Sequence, residues 1–530
     1  MKRRLLSLLL GVTLCVSVTA CSNAGKVTNS AQEQVRTIEE GREKLEIDGA
    51  SYIKLSDSEI TIDGDNVTTN TKAAVYVAND IVYYEEGKDF TYGEGTEKDA
   101  HSKEEAEEHT VVHITKPGTY VLSGKLSAGQ IAIDLGEDAE DDPEAVVTLV
   151  LNNVDITCSV APGVIFYNVY ECGSGDEDEA NKNVDTSKAG ANVLIPDGTD
   201  NIVRGSYVAK IYKSVELNEE GTEVVDSKKL HKYDGAFYSK MSMNINGGEE
   251  NTGRLNIYAE NEGMDTELHL TLNGGTVNIV SGNDGINTNE DNVSVTTVNG
   301  GFLNIRVDGQ TGEGDGIDSN GWLVINGGVV HAAACSTSMD AGIDSDKGIH
   351  INGGTVVATG NMLDHISESE QDYVIFTFQD KVNAGEEISL VKDEESQFLT
   401  LANDYTYLIM SAASYGEGGE YTLWRGEEQL SVIETSNGGM MMPGGFGGDQ
   451  MPEGVEPGER PEMPKGVEHG ERPEMPEGVE PGERSEGFQP DKMPHGGRGG
   501  FGSSPINMEK AVTEFEIKDG GNMFMVVSLQ

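Results

Sequence analysis

The stretch Leu270-Thr-Leu-Asn-Gly-Gly-Thr-Val-Asn-Ile279 decides the fold, because its central Asn-Gly-Gly recurs along the chain at a regular spacing. Successive copies are 27, 26, 27 and 26 residues apart and begin at Asn246, Asn273, Asn299, Asn326 and Asn352. Periods of this length are typical of arrays in which each unit buries its face only against its neighbours. A propeller is the weaker interpretation, because it needs about 40 or more residues per blade.

Apolar residues alternate on both sides of each Asn-Gly-Gly. The residue before the Asn is always apolar, and the alternation resumes after the glycines, as in Val277 and Ile279. Apolar residues at every second position predict half-buried strands. The Gly-Gly pair predicts a corner between two strands, at which the chain can take positive φ. Residues 244–354 contain no proline, as expected of paired strands. The sequence therefore predicts an all-β fold, a parallel β-helix or solenoid.

Differences in composition divide the chain into a β-helix, a cap, an insertion and a final pair of strands. Residues 51–372 are predicted to form the β-helix and residues 373–436 a small C-terminal β cap, which covers otherwise unpaired edges. Residues 437–505 hold 11 of the chain's 15 prolines and a repeat of 12 residues that restarts at Met451, Met463 and Met475. This composition predicts a disordered insertion or spacer, with a recognition tail as the alternative. Residues 506–530 return to alternation and are predicted to rejoin the cap as final strands.

The N-terminus carries an export signal. Basic residues 2–4 precede an apolar run, and the segment 1–20 ends in Val-Thr-Ala before Cys21. This pattern resembles a lipoprotein signal peptide, in which Cys21 receives the lipid, and residues 21–50 would be a spacer from the membrane. An ordinary secretory signal cut near Ala20 is the alternative. The expected localisation is the outer face of the bacterial cell membrane, with contact to the membrane through the anchor alone.

Charge excludes one class of partner. The chain has 37 Lys and Arg against 92 Asp and Glu, a formal net charge of −55, so nucleic acid is not expected to bind. Outside the leader only Cys158, Cys172 and Cys335 remain. This odd number is not a full disulfide framework, and both a pair between Cys158 and Cys172 and free thiols stay open.

Acidic residues recur at a second corner, around a repeated Gly-Ile-Asp motif. Since strands stack about 4.8 Å apart, successive carboxylates would repel each other by about 3 kcal/mol at an effective dielectric constant near 20. Hard oxygen ligands in a row suit Ca²⁺, while Asp and Asn as simple turn caps are the alternative. The candidate calcium ligands are Asp265, Asp284, Asn287, Asp315, Asp318, Asp340, Asp344 and Asp346.

The chain resembles a known family over residues 52–435. The matching stretches run from Ile114 to Leu126, from Val147 to Cys158 and from Pro196 to Asn201, together with the repeated Gly-Ile-Asp and Asn-Gly-Gly units. The family is that of bacterial exported carbohydrate-binding-domain proteins, right-handed parallel β-helices related in shape to pectate-type polysaccharide lyases. The resemblance implies calcium sites and binding to cell-wall polysaccharide, including acidic glycans such as polygalacturonate. The 437–505 insertion departs from it.

Three functions stay open. The first is a lipid-anchored, calcium-dependent polysaccharide-binding protein without enzymatic activity, in which cations would let acidic protein and acidic glycan meet. Its candidate sugar contacts are Trp322 and His269, on one predicted outward column, and Lys347. The second is a polysaccharide lyase, for which Lys347 is the best candidate base, although a surface lysine paired with Asp344 and Asp346 is the favoured interpretation of this residue. The third is a surface scaffold or adhesin with a protein partner. Oligomeric state is not indicated.

Overall fold

The computed structural model describes residues 45–85, 87–94, 101–218, 220–229, 233–367, 369–392, 395–435 and 508–527. The predicted signal peptide, the lipidation site Cys21 and the 437–505 insertion lie outside these residues. Among the described residues one α-helix occurs, α1 (Lys103–Glu107), which begins after a capping box formed by Ser102 and Glu105. The prediction of an all-β chain is therefore confirmed.

The strands follow each other at short intervals along the described part of the chain. In order they are β1 (Ser51–Leu55), β2 (Thr61–Ile62), β3 (Asp65–Asn66), β4 (Val75–Ala78), β5 (Thr110–Ile114), β6 (Gly118–Leu126), β7 (Gly129–Asp134), β8 (Val147–Thr157), β9 (Val164–Asn168), β10 (Ala191–Ile195), β11 (Asp200–Gly205), β12 (Tyr212–Leu217), β13 (Val224–Lys229), β14 (Gly235–Ser239), β15 (Met243–Gly247), β16 (Arg254–Ala259), β17 (Glu262–Thr266), β18 (Leu270–Leu272), β19 (Thr276–Ser281), β20 (Ile286–Thr288), β21 (Val295–Val298), β22 (Phe302–Val307), β23 (Ile317–Ser319), β24 (Trp322–Ile325), β25 (Val329–Ala333), β26 (Gly348–Ile351), β27 (Thr355–Gly360), β28 (Tyr373–Val382), β29 (Glu387–Lys392), β30 (Glu395–Thr400), β31 (Tyr405–Ala412), β32 (Glu420–Arg425), β33 (Glu428–Gln429), β34 (Ser431–Thr435), β35 (Phe515–Glu516) and β36 (Gly521–Val527).

Most of these strands belong to three parallel runs. The first run pairs β1, β6, β8, β10, β15, β18, β21, β24 and β26 in that order. The second continues from the later part of β8 through β11, β16, β19, β22, β25 and β27. The third pairs β5, β7, β9, β14, β17, β20 and β23. From β15 onward consecutive strands enter the first, second and third run in turn, up to β25.

The registers stack equivalent residues of successive repeats. Ile245 pairs with Leu272, and Leu272 pairs with Val298, whose partner in turn is Ile325. All four side chains are buried in one continuous apolar core. This stacking follows from the alternation in the sequence, because period two sends every second side chain to the same face.

The glycine after each Asn-Gly lies at a corner between the first and second runs. Gly275, Gly301, Gly328 and Gly354 have φ values of 84°, 80°, 79° and 86°. Residues with a Cβ rarely adopt this conformation. The prediction of positive φ at the corner is confirmed in these four repeats, whereas Gly248 of the first repeat does not have a positive φ.

The last strands form a separate packing unit. Strand β31 pairs antiparallel with both β27 and β28, and β36 lies beside β28 and β34. A second small sheet contains β29, β30, β32, β33 and β35. Aromatic side chains, including Phe376, Phe515 and Phe524, fill a core distinct from that of the parallel runs. Strands from both sides of the 437–505 segment thus share one sheet.

Two further features bear on the sequence predictions. Cys158, Cys172 and Cys335 are all free thiols. None of the helices in the described ranges has the length and apolar character needed to cross a membrane.

Candidate functional site

The acidic motifs come together on the third parallel run. Asp265 pairs with Asn287, and Asn287 pairs with Asp318. A bridge between Ile317 and Ile343 extends the stack toward Asp344. Three residues before the Asp or Asn of each repeat lie Glu262, Asp284 and Asp315. We call the seven residues Glu262, Asp265, Asp284, Asn287, Asp315, Asp318 and Asp344 the acidic column.

The glycine and isoleucine of each motif hold the column in place. Ile286 and Ile317 are fully buried in the core, so the residues that flank them are fixed in position. At Gly285 a Cβ would collide with the side chain of Ile305 and the carbonyl oxygen of Gly316. The motif therefore needs glycine for close approach of the stacked chains.

In several of these carboxylates, one oxygen accepts a hydrogen bond from a backbone N–H group. The Asp315 N–H donates to Asp284 Oδ1 at 2.6 Å, and the Ala341 N–H donates to Asp315 Oδ1 at 2.5 Å. Asp340 Oδ2 similarly accepts from the Gly314 N–H at 2.6 Å and from the Ser338 hydroxyl. Backbone groups of neighbouring repeats thus orient these carboxylates, including that of Asp340.

The carboxyl groups of the later repeats hold protons unusually strongly. Burial, with added repulsion from neighbouring carboxylates, raises the pKa of Asp284, Asp318 and Asp344 to about 7. The same causes, burial first, raise the pKa of Asp315 to about 9. Negative charge on these four residues is therefore unfavourable without a compensating cation or proton.

The earlier repeats contain buried oxygens without partners. Burial and the Asp234 and Asp284 carboxylates raise the pKa of Glu262 well above its usual range, and burial and Glu262 do the same for Asp265. Glu262 Oε1 accepts from Asn287 Nδ2 at 3.2 Å, and Asp265 Oδ1 accepts from Asn289 Nδ2 at 2.5 Å. Glu262 Oε2, Asp265 Oδ2 and Asn287 Oδ1 have no hydrogen-bond partner.

The donor set fits calcium in kind, although the ligands do not converge. Carboxylate and amide oxygens are the ligands that Ca²⁺ takes, and three such atoms are buried and unpaired in the column. Within the residues that the structure describes, no group of three or more His, Cys, Asp or Glu side chains is arranged to hold a metal ion. Asp346, predicted as a ligand, lies beyond the column and adds to the repulsion on Asp318 and Asp344.

Two acids near the column escaped the sequence prediction. Asp364 accepts from the Ser345 N–H at 3.1 Å and adds to the repulsion on Asp318 and Asp344. It lies outside any Gly-Ile-Asp motif, so the sequence carried no signal for it. Asp234 forms an ion pair of 3.1 Å with Lys210 and directly precedes Gly235, whose register partner is Glu262. This Asp-Gly pair was the signal that could have identified it.

The predicted sugar contacts are placed differently from one another. Trp322 and His269 share one column of the first run, with Val295 between them, and Trp322 is half-buried. His269 lies at the predicted outward position of this column but is only 3% exposed, because another segment of the chain covers it. Its Nδ1 accepts the Val295 N–H at 3.1 Å, and burial lowers its pKa to about 4.

The cover over His269 is a segment that we call the strap, residues 171–188, between β9 and β10. Gly173 packs so closely on the His269 ring that a Cβ there would approach it to 2.9 Å. Lys347 also contacts the strap, because its Nζ lies 3.8 Å from Glu177 Oε1. The structure therefore pairs Lys347 with Glu177 of the strap.

These features define the class of protein: in the part that the structure describes, an all-β chain of large, mostly parallel sheets with a column of buried and half-buried acidic residues. The sequence pattern of carbohydrate-binding domain-containing proteins matches residues 108–375, about half of the chain. The chain belongs to the family of carbohydrate-binding domain-containing proteins.

One solved structure is similar to the chain. It is described as the polysaccharide lyase-like protein from C. thermocellum, in a gadolinium derivative, and it shares 17% sequence identity with a TM-score of 0.31. The similarity covers 60% of this chain and 95% of that chain. None of the curated proteins compared with the chain matches it significantly.

Proposed function

We propose that the protein is a calcium-dependent, polysaccharide-binding protein of the cell surface. The observation that supports polysaccharide binding is the family membership of residues 108–375. The expected ligand is an acidic cell-wall glycan such as polygalacturonate. The protein would be exported and held at the outer face of the membrane by a lipid on Cys21.

The fold proposed for this function is a right-handed parallel β-helix. Its support is the order in which β15 to β25 enter the first, second and third parallel runs in turn. Such a scaffold repeats the same side-chain positions along its length. A long polymer would then meet several equivalent positions.

Calcium would be held by the acidic column, with Asp284, Asp315, Asp318 and Asp344 as the main ligands. When bound, it would supply positive charge that offsets the carboxylates and attracts a uronate carboxylate. The chain's own contribution is to orient these acids through backbone N–H groups, as at Asp284 and Asp315. A net charge of −55 makes such cations necessary for binding an acidic glycan.

We propose binding without catalysis. Lyase chemistry needs a base free to take the proton beside the uronate carboxyl group. Lys347, the best candidate, faces Glu177 of the strap. This contact favours a structural role for Lys347.

Retention on immobilised polygalacturonate tests the proposal. We expect the full chain, kept in detergent, to be retained with Ca²⁺ and released by EDTA. The double variant Asp315→Asn and Asp318→Asn should lose retention, because it removes two of the proposed calcium ligands. Asp308→Asn is the matched control, since Asp308 is an exposed acid outside the column.

Three results would contradict the proposal. If EDTA leaves the retention unchanged, binding does not depend on calcium. Steady formation of unsaturated uronate, followed by its ultraviolet absorbance and abolished by Lys347→Ala, would make the protein a lyase. Failure to bind any glycan would favour a scaffold with a protein partner.

A further inference from the structure

The strap crosses the outer face of the first parallel run and touches it at separated points. At one point the Thr186 hydroxyl lies 2.7 Å from both Asn244 Oδ1 on β15 and Thr271 Oγ1 on β18. At the other, Lys182 Nζ lies 3.2 Å from His350 Nδ1 on β26. The strap is thus attached over both ends of a series of five strands.

Between these points the exposure of the strap alternates. Lys182 and Val184 are half-buried and Thr186 is buried, whereas the two residues between them are exposed. This alternation indicates that Lys182, Val184 and Thr186 face the first run. Val184 lines the same cavity as Thr297 and Val324, which lie on the two strands between the contact points.

A cleft of about 350 Å³ lies beneath the strap. Its lining includes Val184 and Val324 together with Asn273, Asn299 and Asn326. The cleft therefore combines two valines with a row of amides at about 4.8 Å intervals, one for each strand.

The carboxamides have hydrogen-bonding capacity that the fold does not use. Asn299 donates one N–H to Asn273 Oδ1 at 2.9 Å and accepts from Asn326 Nδ2 at 3.0 Å. A carboxamide has two N–H donors and two acceptor lone pairs. Each exposed Asn can therefore still donate one hydrogen bond and accept one.

We propose that the strap cleft binds a neutral glycan built from N-acetylhexosamine units. An acetamido group carries one N–H donor and one carbonyl acceptor, which complement the unused acceptor and donor of one Asn. Its methyl group fits against Val184 and Val324, whereas a hydroxyl group at the same ring position would leave the two valines without that contact. The ionic side chains that line the cleft, Lys182 and Asp185, cancel in charge.

This inference rests on the carbohydrate-binding part of the proposed function and not on calcium. The cleft lies on the first parallel run, whereas the acidic column lies on the third. Binding in the cleft should therefore persist in EDTA, the condition that releases polygalacturonate.

Isothermal titration calorimetry of the full chain, in detergent and EDTA, provides the test. The probes are a β-1,4-linked hexamer of N-acetylglucosamine, the glucose hexamer of the same linkage and hexagalacturonate. We expect the N-acetylglucosamine hexamer to bind at least tenfold more tightly than the glucose hexamer. Hexagalacturonate should not bind under this condition.

Two variants and one control locate the site. Asn299→Leu removes the amide at the middle of the row, and Val184→Asp places charge in the lining of the cleft. Both should weaken binding of the N-acetylglucosamine hexamer at least tenfold. Asn278→Leu is the matched control, because Asn278 lies in a second asparagine row on the second run, with hydrogen bonds of 2.9 Å to Asn256 and Asn304.

The outcomes separate this inference from the proposed function. Absence of binding in EDTA, equal affinity for both hexamers, or full affinity in Val184→Asp would overturn the inference. Val184→Asp lies on the strap, outside the strand ladders, so it should keep the wild-type melting temperature. If the wild-type chain is not retained on polygalacturonate in Ca²⁺ but still binds the N-acetylglucosamine hexamer, the calcium proposal alone is overturned.

Discussion

The asparagine row and the acidic column repeat the same design with different chemistry. In both, polar side chains of successive repeats stack along a parallel run, one from each repeat in the asparagine row and up to two in the acidic column. The carboxamides of Asn246, Asn273, Asn299, Asn326 and Asn352 bind one another at 2.9–3.0 Å. The carboxylates cannot do this, because an ionised carboxylate only accepts hydrogen bonds.

The difference shows that the acidic column needs a bound proton or cation to offset its charge, whereas the asparagine row does not. The carboxamides of the asparagine row hydrogen-bond to one another, and Asn273, Asn299 and Asn326 still face solvent with one donor and one acceptor each unused. The acidic column is buried or half-buried, and its pKa values are raised by burial and mutual repulsion. Its carboxyl groups therefore need a bound proton or a cation to offset their charge, and the calcium proposal rests on this need.

The largest effect is expected from making the column resemble the asparagine row. Asp315→Asn with Asp318→Asn removes two half-buried carboxyl groups, which at pH 7.5 stay folded only with a bound proton, as at Asp315 with its pKa of about 9, or with an unfavourable charge. The amide oxygen introduced at position 315 can still accept the Ala341 N–H. At pH 7.5 in EDTA the free energy of unfolding should rise by on the order of 2–4 kcal/mol. Urea unfolding measures it, with Asp308→Asn expected within about 0.5 kcal/mol of wild type. A less stable double variant would contradict the account.

The pH dependence of calcium-free protein is the second test. Asp284, Asp315, Asp318 and Asp344 have pKa values raised from an ordinary 3.8 to between about 7 and about 9. The folded state therefore binds their protons more tightly than the unfolded state does. The contribution of these bound protons to the stability of the folded state is fully present below about pH 4. It is lost as the pH rises through 7 to 9.

Melting temperature in EDTA between pH 5 and pH 9 measures this effect. We expect it to fall across this range in wild type and to fall less in Asp315→Asn with Asp318→Asn. A wild-type melting temperature that rises toward pH 9 would show that the column is not a source of repulsion.

The reverse exchange, Asn299→Asp, should have a smaller cost. The introduced carboxylate could still accept from Asn326, but it could not donate to Asn273 Oδ1, so one hydrogen bond of 2.9 Å is lost. Because the row is exposed, the free energy of unfolding should fall by about 0.5–1 kcal/mol. Urea unfolding at pH 7.5 measures it, and a change above about 3 kcal/mol would mean that the row is as sensitive as the column.

The smallest effect is expected at Lys347. Its partner Glu177 is 3.8 Å away and both side chains are partly exposed. Lys347→Ala should change the free energy of unfolding by less than about 0.5 kcal/mol and leave polygalacturonate retention in calcium intact. A loss of retention would place Lys347 among the glycan contacts.

The features set by the repeat itself could be predicted from sequence. The alternation of apolar residues and the spacing of the repeats predicted the stacked strands and the Asn-Gly-Gly corner, at which Gly275 has positive φ. They also predicted the register that aligns Asp265, Asn287 and Asp318. These follow from local periodicity, because each repeat contacts its neighbours.

The features that depend on distant segments could not be predicted. Residues before each Asn-Gly-Gly that alternate outward, such as His269 and His350, are buried because the strap covers them. The strap comes from a part of the chain more than 80 residues earlier than His269 and has no repeat to place it. Asp364 likewise joins the acids from outside the motif.

Calcium titration into metal-free full chain at pH 7.5, followed by isothermal titration calorimetry, tests the central claim most directly. The account predicts saturable binding in wild type and in Asp308→Asn, with binding lost in Asp315→Asn with Asp318→Asn. Absence of calcium binding in wild type, or unchanged binding in the double variant, would contradict the claim that the acidic column is a calcium site.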